Sequence, residues 1–293
     1  MKVDIKTILI VGVVLIIGVA LVYYSGELFQ STEPTVQTEE LSGTLRLGGS
    51  TTVYPIALTA SGVFMQQHPG VTITVDQSST GEGMVRFLNG EIDILDGTRP
   101  PKDSEYESAI AKGMDIQMTV VSNDAVVVVV NKENPLRDIS KEDLDKIFYT
   151  GEITDWSEVT DGEKTGKINV YGTDPAISGT AELFTKVIHP KGTFVEGYTI
   201  LHPTPTVVPT IASDPDGIAY TPLVWVDDSV ILLDIDGVTP TDESILDTSY
   251  KLARKMLMMT DGTPTGLERE FINFILSSEG QQIVRDEGFI PIG

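Results

Sequence analysis

Along most of the chain, segments in which every second residue is hydrophobic, as in a strand, are followed by segments with a hydrophobic residue every three or four positions, as in a helix. Leu45 and Leu47 alternate with polar residues and predict a first strand. Beyond a polar loop, apolar residues recur three or four positions apart, as on one helix face: Ile56, Ala60, Val63 and Phe64. Residues 71–75 alternate again and predict a second strand. This succession of strand, helix and strand indicates an α/β protein.

The same succession continues to the C-terminus. Further strands are predicted at residues 92–95, 125–130, 168–171, 217–220 and 230–234. Helices are predicted to begin in the polar segment 77–84 and near Ser140, Ser178, Thr265 and Ser278. The continuous β-branched run Ala125–Val130 is typical of a strand buried on both faces of a parallel sheet. Residues 201–209, rich in Pro and Thr, predict an extended loop.

An apolar segment at the N-terminus predicts a membrane anchor. Residues 8–24 carry no charge and follow Lys2 and Lys6. As a helix they would span about 25 Å, which is near the lower limit for crossing a bilayer. A cleaved signal peptide is the alternative. We therefore predict an anchor or signal over residues 1–24 and a polar tether over residues 25–42, and both interpretations place the remainder outside the cytoplasm.

Polar loops of one kind follow several predicted strands. They cover residues 48–55, 77–84, 96–101 and 173–180 and are rich in Ser, Thr and Gly. The first amide groups of a helix lack intrahelical acceptors, and with the helix dipole they favour an anion. A single loop of this kind is more often a helix cap, and Thr51 or Thr52 would suit that role. Several such loops at strand ends predict a binding site for an anion.

At these loops the chain resembles a known family. The segments GSTTVYP, STGEGM with NGEIDI, TRPPKDSE, DAVVVVVNKENP, EDLDKIFYTGEITDW, ISGT and FILSSEGQQIV occur in this order between about Leu45 and Ile292. They resemble the phosphate-binding component of phosphate ABC transporters, a type II periplasmic-type binding protein. The resemblance implies an α/β fold of two lobes joined by two hinge crossovers, with lobe 1 formed by residues 43–124 and about 235–293 and lobe 2 by residues 125–234.

The resemblance also implies which residues bind the ligand. One phosphate ion would lie in the cleft, held by hydroxyls and backbone amides of Thr51, Thr52, Thr80, Thr98, Ser178, Gly179 and Thr180. Two family features are missing. Thr173 and Asp174 stand where the family usually has an Arg before SGT, and Ala181 stands where many members have one after it. Some members place an Asp, which accepts the proton of the phosphate, at the position of Thr98.

Other charged residues in the loops are candidates for these missing roles. Arg99 could supply a guanidinium, and the alternative is a surface charge beside a turn. Asp96, Asp174 or Glu82 could supply a proton acceptor, and capping or solvated roles are the alternatives for each. These departures leave the choice among tetrahedral anions open.

Composition removes several classes of function. The 293 residues include 20 Lys and Arg against 43 Asp and Glu, for a net charge of −23, which argues against a nucleic-acid partner. The absence of Cys excludes disulfides, thiolate nucleophiles and thiolate metal sites. None of the three His residues has metal-binding spacing, and all three are predicted to be structural or on the surface. We find no G-x-S-x-G motif and no Walker A motif.

The sequence therefore predicts an extracytoplasmic phosphate-binding protein that delivers inorganic phosphate to the permease subunits of an ABC importer. It is expected to act as a monomer at the outer face of the cytoplasmic membrane, anchored by its N-terminal segment or secreted after cleavage. No cofactor, metal or catalytic residue is expected. The alternatives are a binder or sensor of another tetrahedral oxyanion and an anchored hydrolase.

Overall fold

A mixed β-sheet organises residues 41–292, the part of the chain that this computed structural model describes. Within that part the strands are β1 (Ser42–Ser50), β2 (Gly70–Ser78), β3 (Ile94–Gly97), β4 (Ile116–Asn131), β5 (Asp138–Ile139), β6 (Asn169–Gly172), β7 (Thr199–Ile200), β8 (Gly217–Pro222), β9 (Val230–Ile235) and β10 (Ala253–Asp261). The hydrogen-bonded order is β2-β1-β3-β10-β4-β8-β6-β7, and β9 pairs with both β4 and β5. The predicted α/β fold is confirmed.

Helices connect the strands and cover the sheet. They are α1 (Tyr54–Gln67), α2 (Thr80–Leu88), α3 (Asp103–Ala111), α4 (Lys141–Asp145), α5 (Gly179–Ile188), α6 (Val207–Ser213), α7 (Asp242–Leu246), α8 (Gly266–Leu276) and α9 (Ser278–Asp286). The predicted anchor and residues 25–40 of the predicted tether lie outside the described residues. Within residues 41–292, no helix has both the length and the apolar character that crossing a bilayer requires.

Two large hydrophobic clusters form around different parts of the sheet. The first core joins β1, β2, β3, α1, α8 and α9, with Leu47, Phe64 and Phe271 buried at its centre. The second core joins β6, β8, β9, α5, α6 and the last residues of β4, and contains Trp156, which is fully buried as a packing residue. It also includes Ile245, Tyr250 and Leu252, which follow the boundary expected near residue 235.

The run Ala125–Val130 is buried as predicted, but the direction of its neighbours was predicted wrongly. It forms the second part of β4, whose partners β8, β9 and β10 are all antiparallel to it. Burial on both faces selects apolar residues at every position whichever way the neighbouring strands run. The run therefore predicts the burial of this strand and leaves its direction open.

Capping residues set the starts of most predicted helices. Ser79 and Glu82 form a capping box at α2, and the Ser140 hydroxyl accepts from the amide of Asp143 at α4. The prediction of Thr51 or Thr52 as a cap was wrong, because α1 begins after Val53 with no side-chain cap. The loop predicted for residues 201–209 was also wrong: it contains the start of α6, where Pro209 lies in the first turn and needs no amide donor.

Candidate functional site

The polar loops predicted from the sequence meet at one small cavity. Its volume is about 20 Å³, little more than one water molecule requires, so it suits a small ion. Hydroxyl-bearing residues dominate its lining, which consists of Ser50, Thr51, Thr52, Ser78, Ser79, Thr80, Thr98, Thr173, Asp174, Ile177, Ser178, Gly179, Thr180, His202 and Thr204. The cavity lies where loops beside the first core meet loops beside the second core.

The loops at α2 and β3 supply a pair of buried hydroxyls. Thr80 is the first residue of α2, and its Oγ1 lies 3.2 Å from Oγ1 of Thr98. The same Thr80 oxygen accepts a hydrogen bond from the backbone amide of Thr98 at 3.2 Å. Both threonines are at most 4% exposed, so their remaining hydrogen-bonding capacity faces the cavity rather than solvent.

The SGT segment brings a second helix N-terminus to the opposite wall. Ser178 caps α5, and its hydroxyl oxygen accepts from the amides of Thr180 and Ala181. It also lies 2.8 Å from Oγ1 of Thr173, so these two hydroxyls form a second pair. Gly179 packs directly against Thr98, where a side chain would overlap the Thr98 hydroxyl. The dipoles of α2 and α5 therefore both favour negative charge in the cavity.

Thr51 and Thr52 line the cavity as predicted, although their backbone amides are already occupied. The amide of Thr51 donates to the carbonyl of Ser78 at 2.9 Å, and that of Thr52 donates to the Ser50 hydroxyl at 3.1 Å. The Thr51 hydroxyl donates to that of Thr204 at 3.1 Å, which joins the β1–α1 loop to the segment before α6. These residues consequently offer the cavity hydroxyl oxygens rather than free amides.

Among the predicted ligands, Arg99 alone does not line the cavity, and neither do the candidate acceptors Asp96 and Glu82. Its guanidinium donates two hydrogen bonds to the carboxylate of Glu105, at 2.7 and 2.8 Å, and its Nε lies 2.9 Å from Glu182. Lys102 lies 3.3 Å from the same Glu182 oxygen. Burial alone would raise the pKa of Glu105, but Arg99 and the Lys102 amide hold it below its usual value. The cluster ties α3 to α5 outside the cavity.

Several lining residues were not predicted as ligands. They are Ser50, Ser78, Ser79, Thr173, Ile177, His202 and Thr204, whereas Asp174, a candidate proton acceptor, lines the cavity as well. His202, predicted to be structural or on the surface, is exposed at the cavity, and Thr204 reaches it from the segment predicted to be a loop. Sequence spacing does not predict that either residue lines the cavity, because the packing of α6 against the rest of the chain positions both of them.

The candidate acceptor Asp96 is buried beside the site but does not line it. Its side chain is 1% exposed, and neither carboxylate oxygen has a hydrogen-bond partner among the described residues. Burial raises the pKa of this carboxyl well above its ordinary value. Burial therefore favours the protonated form of Asp96.

The site has the chemistry of an anion receptor. Its lining includes no Lys or Arg and only two ionisable side chains, Asp174 and His202. Within residues 41–292, no three His, Asp or Glu side chains are grouped to hold a metal ion. Hydroxyls and two helix N-termini can replace the hydration shell of a small oxyanion.

Comparison with known proteins agrees with this fold, which is that of a periplasmic-type binding protein. The sequence profile described as the PBP superfamily domain matches residues 34–279. The phosphate-binding protein PstS of Bacillus subtilis is 34% identical over 257 residues, covering 87% of this chain and 82% of its own. Protein SphX of Synechococcus elongatus is 31% identical over 261 residues, covering 83% of this chain and 76% of its own.

A solved structure shows the same relationship. A substrate-binding protein of a phosphate ABC transporter from Clostridium perfringens, with bound phosphate, superimposes with a TM-score of 0.77 at 28% identity. The alignment covers 86% of this chain and all of that one. The chain belongs to the PBP superfamily and, within it, to the family of the phosphate-binding proteins PstS.

Proposed function

We propose that the chain is an extracytoplasmic phosphate-binding protein that delivers inorganic phosphate to an ABC importer. The observation that carries the proposal is the small cavity lined by hydroxyls at the N-termini of α2 and α5. Relatives named as phosphate-binding proteins, and a neighbour solved with bound phosphate, support the choice of ligand. The proposed ligands of the anion are Thr51, Thr52, Thr80, Thr98, Ser178, Gly179 and Thr180.

The proposed mechanism is a closure of two lobes around the anion, without catalysis. The first core and the second core would belong to lobes 1 and 2, and the chain would cross between them within β4 and again before β10. Contacts that bridge the cavity support a closed form, since the Gly81 amide donates to the carbonyl of Ile177 at 3.3 Å. The permease subunits would recognise this closed form. We propose a monomer that residues 1–24 hold at the outer face of the cytoplasmic membrane.

Calorimetric titration of the purified chain with phosphate tests the function. A competition series with sulfate, arsenate and molybdate tests the choice of anion, because the cavity lining includes no Arg or Lys. Saturable binding of phosphate that sulfate does not displace is the expected result. Preference for another tetrahedral oxyanion would instead support the alternative of a different binder or sensor.

Two loop hydroxyls provide a direct test of the site. Thr80→Ala and Ser178→Ala are each expected to weaken phosphate binding by about 1–3 kcal/mol, because each leaves part of a buried anion without a donor. Titration calorimetry of both variants measures the effect, and thermal melting shows whether the fold is kept. Thr59→Ala, at an exposed hydroxyl on α1, is the matched control. Unchanged affinity in both variants would remove these loops from the site.

A further inference from the structure

A buried arginine lies directly behind the cavity. Arg254, on β10, is paired with Asp124 on β4, and the two side chains are 4% and 2% exposed. Its Nε and Nη2 donate to one oxygen of Asp124 at 3.0 and 2.8 Å. Burial raises the pKa of Asp124, and Arg254 opposes that effect through direct contact. The contact between the two side chains favours the charged form of the carboxylate, which would otherwise lie unpaired in the interior.

The guanidinium extends from this pair to two threonines of the cavity. Its Nη1 donates to Oγ1 of Thr180 at 2.9 Å, and its Nη2 lies 3.5 Å from Oγ1 of Thr52. Thr180 belongs to α5 beside the second core, whereas Thr52 precedes α1 beside the first core. Arg254 therefore contacts both walls of the cavity at once.

These contacts determine what the threonines can offer a ligand. A hydroxyl has one proton and two acceptor positions. When the guanidinium donates to the oxygen of Thr180, that hydroxyl proton must point away from Arg254, and Thr180 lines the cavity. Arg254 thus holds Thr180 as a donor, which is the role that an anion requires.

The charge of Arg254 also has a consequence for a dianion. The chain carries a net charge of −23, and the cavity lining contributes no Lys or Arg. Arg99, which could have supplied a cation, is engaged by Glu105 and Glu182. In the pair behind the cavity the guanidinium touches the lining hydroxyls through Nη1 and Nη2, whereas Asp124 does not line the cavity. Buried charges are weakly screened, so this orientation favours an anion.

We infer that Arg254 is a positioning residue of the anion site, which orients the hydroxyl of Thr180 and supplies positive charge through it. This inference rests on the proposed function. It assigns the role of the missing arginine to a residue from the C-terminal part of the chain. Asp124 in turn fixes the guanidinium.

The test is titration calorimetry of the full-length chain with inorganic phosphate. Arg254→Gln alone would leave the buried carboxylate of Asp124 without its partner and destabilise the fold. The main variant therefore combines Arg254→Gln with Asp124→Asn. Its expected affinity is about ten- to a hundred-fold lower, the scale of hydrogen bonds to charged groups. Thr180→Val should cause a similar loss, whereas Thr180→Ser keeps the hydroxyl and should bind nearly as tightly as the wild type.

Two readouts separate positioning from a general disturbance of the fold. The loss in the double variant should be larger for the phosphate dianion than for the monoanion, as measured at pH values above and below the second ionisation of phosphate. Adding Thr180→Val to the double variant should lower the affinity for phosphate little further, because both changes remove the same contact. Arg46→Gln with Asp93→Asn removes an ion pair of 2.6 Å on the surface and should leave binding unchanged.

The outcomes distinguish this inference from the proposed function. A wild-type chain that does not bind phosphate overturns both. Wild-type affinity in the Arg254→Gln, Asp124→Asn variant overturns only the inference. The inference is also overturned if the double variant loses the same affinity for the monoanion as for the dianion. It is overturned likewise if adding Thr180→Val lowers the affinity by the same factor in the double variant as in the wild type.

Discussion

A methyl group added at Gly179 is expected to lower the affinity for phosphate by about ten- to a hundred-fold. In Gly179→Ala the new carbon would overlap Oγ1 of Thr98 and lie 3.4 Å from Cγ of Arg99. Overpacking of this kind typically costs about 1–3 kcal/mol. The clash occurs only where α5 meets the β3–α3 loop, so the protein can relieve it by separating the two walls of the cavity. The clash therefore raises the free energy of the form that is closed around the anion.

The measurement is a phosphate titration of Gly179→Ala together with thermal melting of the ligand-free chain. The melting temperature should change little. Gly62→Ala is the matched control, because Gly62 lies within α1 and a methyl group there has no neighbour within 4 Å. That control should keep full affinity and gain about 0.5–1 kcal/mol of stability, as alanine favours helix. Wild-type affinity in Gly179→Ala would show that the walls need not meet to bind the anion.

Asp96→Asn is expected to remove a pH dependence of stability. In the folded chain burial raises the pKa of Asp96 well above its usual value, whereas in the unfolded chain it is about 3.9. Above that pH the folded state holds one proton more than the unfolded state. The free energy of unfolding therefore falls as the pH rises, by up to about 1.4 kcal/mol per pH unit, until the pH passes the folded pKa. The contribution of this carboxyl is fully present only below the unfolded value.

Urea denaturation between pH 5 and pH 8 measures this difference. The amide of Asn does not titrate, so the free energy of unfolding of Asp96→Asn should rise relative to that of the wild type as the pH increases. At pH 7 it should exceed the wild-type value by about 1–3 kcal/mol. Asp228→Asn makes the same chemical change at an exposed loop position and should run parallel to the wild type. Parallel curves for Asp96→Asn would mean that this carboxyl is ionised in the folded protein and has found a partner.

Local patterns predicted the elements of this fold well, because strand alternation and helix caps involve neighbouring residues. Ser79, Ser140 and Ser178 cap helices within three residues of themselves, so short sequence windows contain the whole interaction. The hydroxyls of the cavity were predictable for the same reason. They stand at the ends of strands, where an α/β sheet places its ligands.

What sequence patterns missed depends on distant residues. The contacts of Arg254 with Asp124, Thr180 and Thr52 join positions separated by 130, 74 and 202 residues, and no local pattern indicates them. Arg99 was proposed as a ligand because of its position in a loop. Its side chain instead pairs with Glu105 and with Glu182 of α5, and local patterns do not indicate that Glu182 lies beside Arg99.

The length of β4 has a mechanical consequence. This 16-residue strand contributes Val121, where its pairing with β10 has a bulge, to the first core and Ala125–Val130 to the second, so one continuous strand supports both. Any rotation of one core against the other must twist this strand, because no flexible linker replaces it there. Melting either core would also release the strand that the other needs. The two should therefore denature together in one cooperative transition.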